Sequence, residues 1–139
     1  MGGYTLAVGI VNDRPHEGSN LTIAEVGAIH ELGAPSIGLE ARPWLGFTMN
    51  RKKRELAAMA GKGMKAVLAG TSTAIQVLSQ MGTFAATATK ASIRQRLIRQ
   101  ELAESTKKRR AAKGDADPAA LLDSEQLVDA VGFKIDRTR

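Results

Sequence analysis

The chain contains no cysteine in its 139 residues, which removes thiolate metal sites, cysteine nucleophiles and disulfide scaffolds together and suits a reducing compartment. Aromatic residues make up only 4% of it, with one tryptophan and one tyrosine, so a core has to be built from aliphatic side chains rather than from ring packing. Histidine is limited to His16 and His30, and neither has a partner at the spacing of a helical zinc motif. The N-terminal stretch has no basic residue ahead of its short apolar run, so it does not read as a secretory signal. Charge is absent from Ala66 to Thr89, a run of 24 residues that is long enough to span a bilayer. Its many Ser, Thr and Gln side chains would lack partners in hydrocarbon, so we read it as a buried helical segment and expect no membrane contact.

What is present fits one domain over residues 1–139, with a hydrophobic fraction of 43%. Tyr4 to Val11 is apolar and β-branched and stops at the turn formers Asn12 to Pro15, which predicts a first strand. Thr22 and Glu25 have capping-box spacing, and Ile23, Val26, Ile29 and Leu32 predict a short helix that Gly33 and Pro35 end. Pro43 suits the first position of a new helical turn, and a second helix is expected from about Asn50 to Gly70. Its apolar stripe is Leu56, Met59, Ala60, Met64, Val67 and Leu68. Thr73 with Gln76 repeats the capping signature and opens a long third helix, whose small residues from Gly82 to Ser92 would let a neighbouring element come close. A basic loop is expected around 104–120, and Ala130 to Ile135 alternates as a last strand does. The predicted fold is therefore α+β: a small antiparallel sheet of the N- and C-terminal strands, packed on one face by about three helices.

Charge is segregated. Residues 50–65 carry +5 and residues 90–113 carry +7, between flanks of −3 each. The block Lys90, Arg94, Arg96, Arg99, Lys107, Lys108, Arg109, Arg110 and Lys113 is the main signal for a partner, either a polyanion or an acidic protein surface. No aromatic residue is interleaved for base stacking, and no DNA-reading module is recognisable.

Catalytic and cofactor motifs fail in context. Gly61 to Ala66 matches GxGxxA but lies inside a helical pattern with no strand before it. Ser105 and Lys108 have SxxK spacing in a basic loop that would not desolvate the lysine. Asp115, Asp117 and Asp123 read as turn formers rather than as cation ligands. We expect no catalytic residue, no cofactor and no metal.

Val8 to Ile10 (VGI), His16 to Pro35 (HEGSNLTIAEVGAIHELGAP) and Ala41 to Leu56 (ARPWLGFTMNRKKREL), taken in order, resemble the virion-morphogenesis proteins of tailed bacteriophages, which include neck, tail-completion and tail-terminator subunits. In that family a strand leads to a helix reading A-x-I-H-E-F-G and then to I-P-x-R-P-F. Ala28 to Gly33 and Ala41 to Trp44 occupy those places, with Leu32 and Trp44 where Phe is usual. Ser105, Thr106, Lys113 and Gly114 fit the family's later basic loop loosely, and Leu121 to Leu127 fits its L-I-D-T-G-x-L in outline, with Glu125 in place of Gly. Residues 57–104 match in helical character only.

The resemblance implies an assembly protein rather than an enzyme: a homo-oligomeric ring, expected to be a hexamer, at the head–tail junction of the virion, put together in the host cytoplasm. Such a ring caps the tail tube and joins it to the head connector, so tube and connector or neck proteins are the implied partners. It also implies that His30, Glu31, Gly33, Arg42, Pro43 and Trp44 build a structural corner and part of the ring interface, with Trp44 as its anchor or as a core residue. The alternatives are a head-side connector or stopper, and a small basic nucleic-acid-binding protein. The basic block could meet DNA non-specifically in the lumen, but +7 within 24 residues is strong for sliding contacts, which favours docking on protein.

Overall fold

The computed structural model describes residues 3–38, 40–41, 43–94 and 124–138. Strand β1 (Tyr4–Ile10) pairs antiparallel with β2 (Val131–Arg137), Tyr4 lying opposite Arg137 and Ile10 opposite Val131. Between them in the chain come α1 (Ile23–Leu32), a short 3-10 turn (Pro35–Ile37), α2 (Trp44–Leu68), α3 (Ala74–Arg94) and α4 (Ser124–Ala130). The α+β class and the pairing of the two end strands agree with the sequence reading; α4 is an addition to it. Seven residues are too few to show a helical period, and α4 runs into β2 without an intervening loop.

Side chains alternate across the sheet. Leu6, Val8 and Ile10 with Val131, Phe133 and Ile135 form the inner face, while Thr5, Ala7, Lys134 and Asp136 face out and are exposed. The inner face is covered by α3, and the small residues expected to permit close approach are the ones at the contact. Gly82, Ala85, Ala86 and Thr89 are buried, and the space where a Gly82 side chain would stand is filled by the Phe133 ring. Thr89 and Ser92 are neutralised within the helix, their hydroxyls donating to the carbonyls of Ala85 and Ala88 at 2.8 and 3.0 Å.

The expected packing of all three helices on the sheet gives way to layers. Apart from its first turn, where Leu45 reaches Gly9, α2 packs on α3 rather than on the strands. The face of α2 that meets α3 is also rotated from the expected stripe. Leu56, Met59, Gly63, Ala66 and Val67 are half-buried, whereas Ala60 is exposed and Met64 and Leu68 are 61% and 80% exposed. The cause is Gly63, whose missing side chain admits Val77 of α3, so the closest approach lies on the glycine side of the helix. In α1 the inner stripe is Ile23, Val26, Gly27 and His30, and Leu32 is exposed.

The capping signatures are realised. Thr22 accepts from the Glu25 amide at 3.2 Å while Glu25 accepts from the Thr22 amide at 2.8 Å, and Thr73 and Gln76 exchange the same pair of bonds at 3.2 and 3.0 Å. The uncharged run is thus split between the end of α2, a turn at Gly70 and α3. Among the described residues, no helix is long and apolar enough to cross a membrane.

The loop from Asn12 to Leu21 is tied down at two points: Asp13 accepts from the Ala24 amide at 2.9 Å, and Glu17 exchanges two hydrogen bonds with the Gln126 side chain on α4 at 2.9 and 3.2 Å. Two glycines in helices test this packing in opposite directions. Gly82→Ala is expected to destabilise the chain by about 1–3 kcal/mol because the Phe133 ring has to move. Gly61→Ala, in open solvent on α2 with nothing within 4 Å, is expected to stabilise by about 0.5–1 kcal/mol. Urea midpoints of the two variants check both signs.

Candidate functional site, a capped corner and a basic groove

Two places bring chemistry-bearing side chains together. The first is the corner where α1 turns into α2. Gly33 ends α1 at φ +79°, and a side chain there would stand 2.7 Å from the Ala41 nitrogen, so only glycine lets the chain fold back this tightly. The turn Pro35–Ile37 and Gly38, at φ +72°, complete the reversal. Pro43 then stands at the N-cap of α2 with no side chain able to cap the helix. Glu31, near the end of α1, supplies the missing cap: its carboxylate accepts from the Leu45 and Gly46 amides at 2.9 and 3.0 Å. These are charge-assisted bonds to helix donors that otherwise have no partner, at the end of the helix dipole that favours an anion. Gly46 is part of the device, because a side chain on it would stand 2.9 Å from the carboxylate.

That cap explains why α2 begins at Trp44 and not near Asn50. Trp44 is 4% exposed, its indole Nε1 donating to the Gly27 carbonyl of α1 at 2.9 Å. Gly27 leaves room for the indole, for Leu127 and for Ile10, so α1, α2, α4 and β1 converge on one glycine. Trp44 is therefore part of this chain's own core. His30 is buried on the same helix as Gly27, Pro43 is exposed, and Arg42 lies outside the described residues.

The second place is a groove of about 450 Å³ between the first turns of α2 and the last turns of α3. Its walls are Thr48, Arg51 and Lys52 from α2 and Thr83, Phe84, Thr87, Ala88, Ala91 and Ser92 from α3, with no carboxylate among them. Both cations rest on rings: the Arg51 guanidinium is 5.5 Å from the Phe47 centroid and the Lys52 ammonium 5.9 Å from that of Phe84. The buried Thr48 hydroxyl is used up by the Trp44 carbonyl at 2.8 Å, which leaves the cations with Thr83 and Thr87 as the groove's outward-facing polar groups. Such a surface presents positive charge over an apolar floor. Arg51 and Lys52 belong to the first basic segment; the Arg51 contact lies within α2, four residues from Phe47, whereas the Lys52 contact crosses between helices and no local pattern shows it.

Of the basic block, Lys90 and Arg94 lie on the last turns of α3 and do not line the groove, Arg94 being exposed. Arg96, Arg99, Lys107, Lys108, Arg109, Arg110 and Lys113 lie outside the described residues, as do the basic loop around 104–120 and Asp115, Asp117 and Asp123. Among the described residues, no group of three or more His, Asp or Glu is placed to hold a metal ion. Comparison with known protein families, with characterised proteins and with solved structures finds no match to this chain.

Removing the cap has a defined cost. Glu31→Ala leaves two helix amides without their acceptor and is expected to destabilise by about 1–2 kcal/mol. Glu31→Gln, which keeps one acceptor oxygen, loses less. Chemical denaturation followed by Trp44 fluorescence, which reads this corner alone, orders the three proteins.

Proposed function

We propose that this protein is a non-catalytic assembly subunit of a tailed-bacteriophage virion, acting at the head–tail junction as a tail-terminator or tail-completion ring that caps the tail tube and meets the head connector. One observation carries the reading. The two stretches on which the family resemblance rests, Ala28 to Gly33 and Ala41 to Trp44, are separate in sequence but form one device, in which Glu31 caps the helix that Trp44 begins and Trp44 bonds back to α1. A motif whose halves depend on each other in this way is a unit of fold, and its match supports kinship more strongly than two short matches counted apart.

The groove at Arg51 and Lys52 supports the same role from a different side, since a ring that docks on other proteins needs an exposed face of one charge sign. Ring closure is head-to-tail and uses two different patches on each subunit. The protein does its work by geometry: a closed ring ends polymerisation of the tube and offers its other rim to the connector.

Light scattering at two salt concentrations, with negative-stain imaging of the protein alone and mixed with its cognate tail tubes, tests the proposal. Closed rings, or monomers that become rings at tube ends, are the expected result. A chain that ignores tubes and instead binds duplex DNA with a steep salt slope overturns it in favour of a nucleic-acid-binding protein.

A further inference from the structure

The apolar residues of α2 are more than one face can hold, and they divide into two stripes. Leu56, Met59, Gly63, Ala66 and Val67 are half-buried on the side of α3. Ala57, Gly61, Met64 and Leu68 form the second stripe, at steps of four, three and four residues, which is the seam spacing of a helix that pairs with another helix. All four are exposed, and nothing stands within 4 Å of the place a Gly61 side chain would take. The stripe is about 16 Å long, and its large end, at Leu68, lies by the Gly70 turn, about 30 Å along α3 from Arg94. Past Thr48 no residue of α2 is buried, so this helix is an arm with one side on α3 and the outer stripe uncovered by any described residue.

The charges around the outer stripe have one sign. Arg51, Lys53, Arg54 and Lys65 flank it and are exposed. Glu55, the one acid of α2, falls about 150° round the helix from it. From Leu56 to Arg94 the chain has no acid at all.

From this we infer that the outer stripe of α2 is the seat of a partner helix whose own apolar seam is flanked by Glu or Asp. The residues beside a seam decide which helix joins it. A second copy of α2 would bring Arg and Lys against Arg and Lys, whereas an acid-flanked helix pairs them. A nucleic acid duplex would answer the cations but leave Met64 and Leu68 in water, since a phosphate backbone buries no apolar side chain. Ala57 and Gly61 leave room for large side chains of the partner, as the holes of a helix pair do. The contact needs neither a ring nor the groove between α2 and α3 in order to form.

The chain has no cysteine, so Met64→Cys places a single thiol on the stripe. In the full chain that thiol is expected to react with a maleimide at the rate of an exposed thiol. Under a saturating synthetic peptide of three heptads, with Leu at the seam and Glu at the flanking positions, it is expected to react about tenfold or more slowly. The same peptide with Lys at the flanking positions gives no protection. Fluorescence anisotropy of the labelled Glu peptide measures its binding to the wild-type chain. Met64→Ala combined with Leu68→Ala is expected to weaken that binding about tenfold or more, with an unchanged urea midpoint because both side chains are exposed. Lys52→Ala, in the groove, is expected to change it by less than about twofold.

A thiol that reacts slowly in the free chain means that the stripe is already covered, and it overturns the inference. So do an unprotected thiol under the Glu peptide, equal protection by the Lys peptide, binding that survives the loss of Met64 and Leu68, and binding that Lys52→Ala removes. Self-association by light scattering that the double alanine variant abolishes gives the stripe to a second copy, and protection of the thiol by duplex DNA gives it to nucleic acid. Either result overturns the inference as well.

Discussion

The carboxylate of Glu31 on two free amides in the first turn of α2, those of Leu45 and Gly46, is the contact on which the rest of the molecule depends. A helix of 25 residues that starts on proline has no capping side chain of its own. Without an acceptor from elsewhere its first turn would fray, and Trp44, at the first helical position, would lose its place. With Glu31 in position, α2 begins six residues earlier than its apolar pattern indicates, and the indole is delivered to the Gly27 carbonyl. One buried hydrogen bond and one bidentate cap thus set the angle between α1 and α2, and through α2 the position of the whole helical pair.

Glycine governs the distances in the same way that Glu31 governs the angle. Gly27 receives Trp44, Gly46 receives the carboxylate, Gly63 receives Val77 and Gly82 receives Phe133. In a chain this poor in aromatics, Trp44 and Phe133 are each packed against the absence of a side chain. Such close approaches trade helix propensity for contact area, and they make the packing sensitive to single methyl groups. Gly61 and Gly70, which touch nothing, show that the effect is local to the interfaces.

These constraints leave a groove on the surface. The α2–α3 pair is drawn close near Gly63 and Val77, and a groove remains near Arg51 and Lys52, where two cations supported by rings face outward over an apolar floor. The sheet is covered on one face by α3, and its other face carries the exposed Thr5, Ala7, Lys134 and Asp136.

Much of this was legible in the sequence because it rests on short-range rules. Capping at Thr22 and Thr73 spans three residues, strand alternation has a period of two, and the stop at Gly33 needs only a positive φ, so all three were open to inspection without a fold. The small-residue stretch in α3 marked a close contact, though not which ring would fill it. The start of α2, the rotation of its buried face away from Met64 and Leu68, and the meeting of Lys52 with Phe84 depended on tertiary structure. Glu31 and Leu45 are fourteen residues apart and Lys52 and Phe84 thirty-two, and no local pattern encodes a hydrogen bond or a ring contact across such a gap. Local rules determined the two strands, the first three helices and the starts of α1 and α3; only packing decided where α2 begins, that α4 forms, and which faces the helices bury.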